Sequence, residues 1–263
     1  MRVYVINQAA QSERWLFQVD QLTRLGMLFE RVEAVTTEEL SPPTDDVYWH
    51  GWERMMSNPE KSAFCSHRRV WKKVAESGKP SLILEDDALL SKALPEFLRH
   101  LEGEKDFDHI SLETRGRKKL LGKVLKSGRR RLLQDRTGAA AYVLSSSGAV
   151  KLLQRSSKHA ALADATLCAA YELISYQAFP ALAFQFDQCR HYAIQSPVRT
   201  VSGIRALGVK ASGLHPPLFS QRINRIFSQL RMFGRVLCWL GRAEHTYVPI
   251  DSERFGISHL SNF

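Results

Sequence analysis

The 263-residue sequence has little cysteine: four residues, Cys65, Cys168, Cys189 and Cys238, none in a CxxC or CxxH pair. That spacing suggests neither a zinc knuckle nor a disulfide framework, so reduced thiols are expected. No run of about 18 apolar residues offers a membrane span, and Met1 to Ile6 lacks the long apolar stretch of a signal peptide. The chain is therefore expected to stay on the side of the membrane where it is made. Internal repeats and low-complexity tracts are absent. So is a glycine-rich phosphate loop: Asn7-Gln8-Ala9-Ala10 follows the first apolar stretch, which weakens a nucleotidyltransferase reading. No RNP, KH or helix-turn-helix pattern occurs, which leaves a nucleic-acid-binding reading resting on charge alone.

Acids are also in deficit, 27 against 37 basic residues, for a formal charge of +10 and a pI near 9.6. Such a balance favours anionic partners: nucleic acid, acidic lipid or phosphorylated substrates. With 44% hydrophobic residues the length fits one generous domain, or a domain plus an appendage, with a real core.

Val3-Tyr4-Val5-Ile6 reads as a buried strand, and Ser12 to Leu25 as a helix with Ser12 as its N-cap. A short strand at Phe29 to Val35 precedes a polar loop, Thr36 to Asn58, carrying Tyr48, Trp49 and Trp52. These rings either stack on a sugar or simply pack. Helices are expected at Lys61 to Glu76, Pro95 to Leu101 and Ser147 to Gln154, with strands at Ser81 to Leu84, His109 to Leu112 and Ala139 to Leu144. The alternation argues for an α/β layered sheet. Between Arg115 and Arg136 lie ten Lys or Arg against one Asp, with Gly116, Gly122 and Gly128 as hinges, expected to form a mobile loop or exposed hairpin. Pro216-Pro217 precedes a basic amphipathic helix, Ile223 to Leu240, expected either to pack on the sheet or to lie in a membrane interface. The unit boundary is expected at 197, with 1–197 as the catalytic domain and 198–263 as a basic helical extension.

The strand Ser81 to Leu84 empties into Glu85-Asp86-Asp87. Ligands of open α/β sheets bind beyond the carboxyl ends of strands. Carboxylates there can hold Mn²⁺ or Mg²⁺, the Lewis acid that a departing nucleoside diphosphate needs. A solvated acidic turn is the plain alternative.

The surrounding residues supply a resemblance. Val5-Ile6-Asn7 with Arg14-Trp15, then Glu60, Ser66-His67 and Trp71, Leu84 to Ala88, and Gly138 through Leu153 match, in order, the motifs of glycosyltransferase family 25. This family comprises bacterial lipooligosaccharide galactosyl- and glucosyltransferases and related collagen galactosyltransferases. Ser62-Ala63 stands where the family has Gly-Cys, and Leu162 to Leu167 keeps only the acid, Asp164, and the last Leu of Pro-Val-Asp-x-x-Leu. Past about residue 195 the resemblance is silent.

The resemblance implies a GT-A type nucleotide-binding α/β/α sandwich that inverts the anomeric centre of UDP-galactose or UDP-glucose. The implied metal ligand is Asp87, with Glu85 direct or through water, and His191 completing the shell. Val5, Ile6, Asn7, Arg14, Ser66, His67 and Asp86 fall to the donor site, although His67 also suits a satisfied core position. Inversion needs a carboxylate base: Asp164 is the first candidate, Glu113 the second. The implied acceptor is a lipid-linked lipooligosaccharide or lipopolysaccharide core sugar. The implied station is peripheral, on an anionic cytoplasmic membrane face, with no nucleic acid partner. A catalytically degenerate scaffold or a basic nucleic-acid-binding protein are the competing readings.

Overall fold

Strand β1 (Arg2–Asn7) forms where four apolar residues follow one another, and both of its faces are covered. Val3 and Val5 enter one core with Leu22, Leu82 and Leu84; Tyr4 and Ile6 enter another with Trp71 and Ile83. A strand buried on two faces needs apolar side chains at every position, which is why it shows no alternation. In the computed structural model, which describes residues 1–198 and 219–255, this pattern makes a layered mixed α/β fold.

The large sheet joins β1 to β2 (Glu30–Glu33), β3 (Ser81–Glu85), β5 (His109–Ser111), β6 (Lys118–Lys126), β7 (Arg129–Gln134), β8 (Ala141–Leu144), β9 (Ser175–Ala178) and β11 (Ala243–Tyr247). Their order is β11-β6-β7-β9-β5-β8-β3-β1-β2. β1 runs parallel to β2 and β3, whereas β8 lies antiparallel between β3 and β5. A second, two-stranded sheet pairs β4 (Ala88–Leu90) with β10 (Ala183–Gln185).

Helices α1 (Ser12–Arg24) and α3 (Leu94–His100) cover one face through Leu22, Leu94 and Phe97. α2 (Asn58–Ser77), α4 (Ser146–Arg155) and α5 (Ala163–Ala169) cover the other through Phe64, Trp71, Leu152 and Leu167. α2 starts at Ser57, whose backbone N–H (2.9 Å) and hydroxyl (3.1 Å) donate to Glu60. It stops at Gly78, whose φ of 66° a residue with a Cβ adopts only at a cost.

The expected N-cap of α1 is corrected. Ser12 is the first helical residue; Gln11 occupies the cap and offers no side-chain bond. Of the two forms expected for the basic stretch from Arg115 to Arg136, the hairpin is the one found: β6-β7 lies inside the sheet, with residues 123–128 at its tip and Arg117, Lys118 and Arg136 at its base exposed. Lys119, Arg129 and Arg130 are buried because each finds acids: Asp135 for Lys119 (2.5 Å), Glu104 and Asp106 for Arg129, Glu244 for Arg130 (2.7 Å). Of the stretch after 198, the described part starts at Phe219. α6 (Phe219–Cys238) is followed by β11, which pairs with β6, and Phe255 packs on Phe184. Pro216-Pro217 lies outside the described residues. No helix among the described residues is long and apolar enough to cross a membrane.

Candidate active site

The parallel register sets Ile6 beside Glu85, so β1 and β3 end together at Asn7 and at the Glu85-Asp86-Asp87 turn. Beyond them opens a cleft of about 400 Å³, lined by Asn7, Arg14, Ser62, His67, the three acids and Gln185 among others.

Each acid has its own partners. Asp86 is buried, its two oxygens taken by Asn7 Nδ2 (2.7 Å) and Arg14 (3.1 Å), while Gln18 donates to its backbone carbonyl (3.1 Å). It therefore ties the end of β1 and helix α1 to the turn. Glu85 Oε1 meets His67 Nε2 at 3.0 Å, and its Oε2 accepts from Gln185 Nε2 at 2.9 Å. The same amide reaches both oxygens of Asp87 (3.2 and 3.3 Å). Burial, then the charges of Glu85 and Asp86, push the Asp87 carboxyl up to about 7.

His67 is almost fully buried, its ring stacked on Tyr142 with Nδ1 2.9 Å from the phenol oxygen. Trp71 Nε1 donates to that oxygen (2.8 Å). A phenol that accepts from Trp71 has its own proton to give Nδ1, which leaves the imidazole proton on Nε2, facing Glu85. His67 is thus a satisfied core histidine that also lines the cleft, where its Nε2 meets Glu85. Ser66 donates to Ser62 O (2.7 Å) and accepts from the Val35 amide (2.8 Å), fixing the loop after β2 at the cleft edge. Asn7 Oδ1 and Ser62 Oγ are buried without a hydrogen-bond partner among the described residues, and both residues line the cleft.

Four expected site residues do not line this cleft: Val5, His191 and the two candidate bases, Asp164 and Glu113. Val5 is wholly buried in the core, pointing away from the cleft that Ile6 and Asn7 line. His191 is exposed, edge-on to Tyr192 (centroids 4.7 Å apart) and against Gly116. Among the described residues no group of three His, Cys, Asp or Glu side chains is placed to hold a metal ion. The pair Glu85 and Asp87 still fits a hard divalent cation: both donors are carboxylate oxygens, crowded and bridged by one neutral amide.

The two candidate bases differ in environment. Asp164, half-buried in the first turn of α5, accepts from its neighbour's amide (2.7 Å). Its carboxyl is pushed up to about 6, first by burial and also by the charge of Glu85, while Arg115 and His67 oppose the shift. Glu113 is 1% exposed; it accepts from the Ala140 amide (2.7 Å), and burial pushes it up to about 8. Of the three loop aromatics, Trp49 is buried and donates to Pro43 O (2.8 Å), and the Tyr48 hydroxyl donates to Ser156 O (2.7 Å). Only Trp52 lines open space, a cleft of about 560 Å³ beneath α6.

Gln185, which bridges two acids, carries no signal in the sequence. It reaches the site because β10 pairs with β4 in a register that sets Gln185 against Ala88.

In an open α/β sheet, the cleft beyond the carboxyl ends of the strands is where ligands bind. The sequence profile of glycosyltransferase family 25, described as LPS biosynthesis protein, matches residues 1–167. The chain belongs to that family, and glycosyl transfer is its class of activity. No curated protein matches the chain. Among solved structures, A197 from STIV is similar at 8% identity and a TM-score of 0.34, over 67% of this chain and 80% of that one. The mannose-1-phosphate geranyltransferase from Thermus thermophilus is similar at 12% identity and a TM-score of 0.39, over 69% and 74%. Both likenesses are too distant to bear on the site.

Proposed function

We propose that the protein moves galactose or glucose from a UDP-sugar, with inversion, onto a core sugar of lipid-linked lipooligosaccharide or lipopolysaccharide at the inner face of the cytoplasmic membrane. One observation carries the reading: in a chain of this family, Glu85 and Asp87 stand crowded at the carboxyl end of β3, joined by Gln185 and facing the cleft. The parallel β2-β1-β3 half with antiparallel β8 beside it agrees with a GT-A type nucleotide-binding sheet.

Glu85 and Asp87 are the residues to hold Mn²⁺ or Mg²⁺, which would offset the charge of the departing diphosphate. Asn7, Arg14 and Asp86 form one braced wall of the donor site, and His67 with Ser66 the other. The free acceptor oxygens of Asn7 and Ser62 are available to donor groups of the nucleotide. Asp164 is the better base. With its carboxyl near 6 it is ionised at neutral pH yet basic enough to take the acceptor hydroxyl's proton, whereas Glu113, near 8, already holds one.

The test is UDP release from a panel of UDP-sugars with Mn²⁺, with EDTA and in Asp87→Ala. Cation-dependent turnover that falls about 10²- to 10³-fold in the variant supports the reading. Neither turnover nor UDP binding puts a scaffold in its place.

A further inference from the structure

The sequence from Phe219 to Arg242 contains five arginines and no acid. An amphipathic helix normally turns its apolar stripe to the core. α6 does the reverse: Ile226, Leu230, Phe233 and Leu237 share one face, and each is more than half exposed, as is Leu240 just past the helix end. The helix is held by its opposite side, where Gln221 meets Met55 Sδ (3.1 Å), Asn224 donates to Gly51 O (3.3 Å), and Arg235 bonds Leu133 O and stacks on Tyr171. The outward stripe is thus not a packing error of a loose end.

The hairpin tip extends it. The amide of Lys123 donates to Arg242 O (3.2 Å), which brings the β6-β7 tip to the C-terminal end of α6. There Val124 and Leu125, also more than half exposed, stand between Lys123 and Lys126. Two elements far apart in sequence therefore present one apolar strip with Arg222, Arg225, Lys123 and Lys126 about it. A second copy of the chain is a poor occupant, because isologous pairing would bring the α6 arginines of the two copies together with no acid on the helix to neutralise them. An anionic lipid surface satisfies both halves of the pattern: acyl-chain boundary for the stripe, phosphate headgroups for the cations.

We infer that α6 and the β6-β7 tip form a membrane-docking face that seats the enzyme flat on an anionic bilayer, a property separate from the donor chemistry. It is tested by co-sedimentation of the full chain, without donor or cation, with vesicles of phosphatidylglycerol and phosphatidylethanolamine and with phosphatidylcholine vesicles. Leu230→Glu/Phe233→Glu is the variant; both side chains are exposed, so circular dichroism should match the parent. Binding to the anionic vesicles, weaker at high salt, weak on phosphatidylcholine and reduced at least about tenfold in the variant, is expected. Parent protein that stays in the supernatant with anionic vesicles overturns the inference, as does undiminished binding by the variant, which would mean charge alone. A dimer in sedimentation velocity that the variant splits while vesicle binding persists also overturns it. Because no donor is present, failure here is distinct from failure of the transferase reading, and UDP release without vesicles should be the same in parent and variant.

Discussion

A single amide organises the acidic turn. Gln185 Nε2 lies within 3.3 Å of oxygens on both Glu85 and Asp87, so it fixes their spacing and absorbs part of their repulsion. Gln185→Ala should raise the Mn²⁺ concentration for half-maximal UDP release by about tenfold, the usual effect of removing a group that orients ligand side chains. An unchanged titration would show that the carboxylates hold themselves. Asp164 makes a different prediction. Burial raises its carboxyl to about 6, so it is ionised above that pH and protonated below it. The pH profile of kcat/KM should then fall on the acid side of about 6, and Asp164→Asn should abolish transfer while leaving UDP binding intact. A normal acid limb in the Asn variant would move the base elsewhere. The two residues differ in what the sequence says of them: Asp164 stands in a degraded motif that still makes it a candidate, and Gln185 in no motif.

At the scale of elements, α2 carries more of the site than its length suggests. It brings Ser62, Ser66, His67 and Trp71 to the cleft and to Tyr142, and its entry is fixed by Glu60, which accepts from Ser57 and pairs with both terminal nitrogens of Arg54 (2.9 and 2.6 Å). Glu60→Ala removes this cap and leaves a half-buried guanidinium without its acid. Urea denaturation should show a loss of about 1–2 kcal/mol; a change under a few tenths would mean that packing alone holds the start of the helix. The strand β1, the helices α1 and α2, and the strand β3 with its acids are legible in the sequence because each is a local pattern: an apolar run or a helical period between clear stops. The hairpin β6-β7 is legible only as one of two alternatives, and its burial inside the sheet is not, because its charge reads as exposure, yet the acids that neutralise Lys119, Arg129 and Arg130 lie as far off as Glu244. Strand β11, Ala-Glu-His-Thr-Tyr, is not legible at all, since an edge strand open to solvent carries no apolar alternation.

For the whole molecule, the buried Glu113 couples folding to protons. Its carboxyl is raised from the ordinary 4.5 to about 8, first by burial and despite the nearby Lys119. Between these values the folded chain holds a proton that the unfolded chain has released. Stability should therefore fall as pH rises through that window and level off above about 8. Glu113→Gln keeps the acceptor for the Ala140 amide and removes the titration. Denaturation midpoints at about pH 5, 7 and 9 should converge in the variant relative to the parent; parallel slopes would assign the pH dependence to other groups.

The sequence by itself determined the layered α/β class, the family, the acidic turn at a strand end and the amphipathic, acid-free character of α6, because each is written in residues close along the chain. The tertiary structure alone decided which side of α6 faces solvent, that the hairpin tip continues its stripe, that His191 stands apart from the acids, and that Gln185 joins them. Those outcomes depend on strand register and on pairing across a hundred residues, which local composition does not encode.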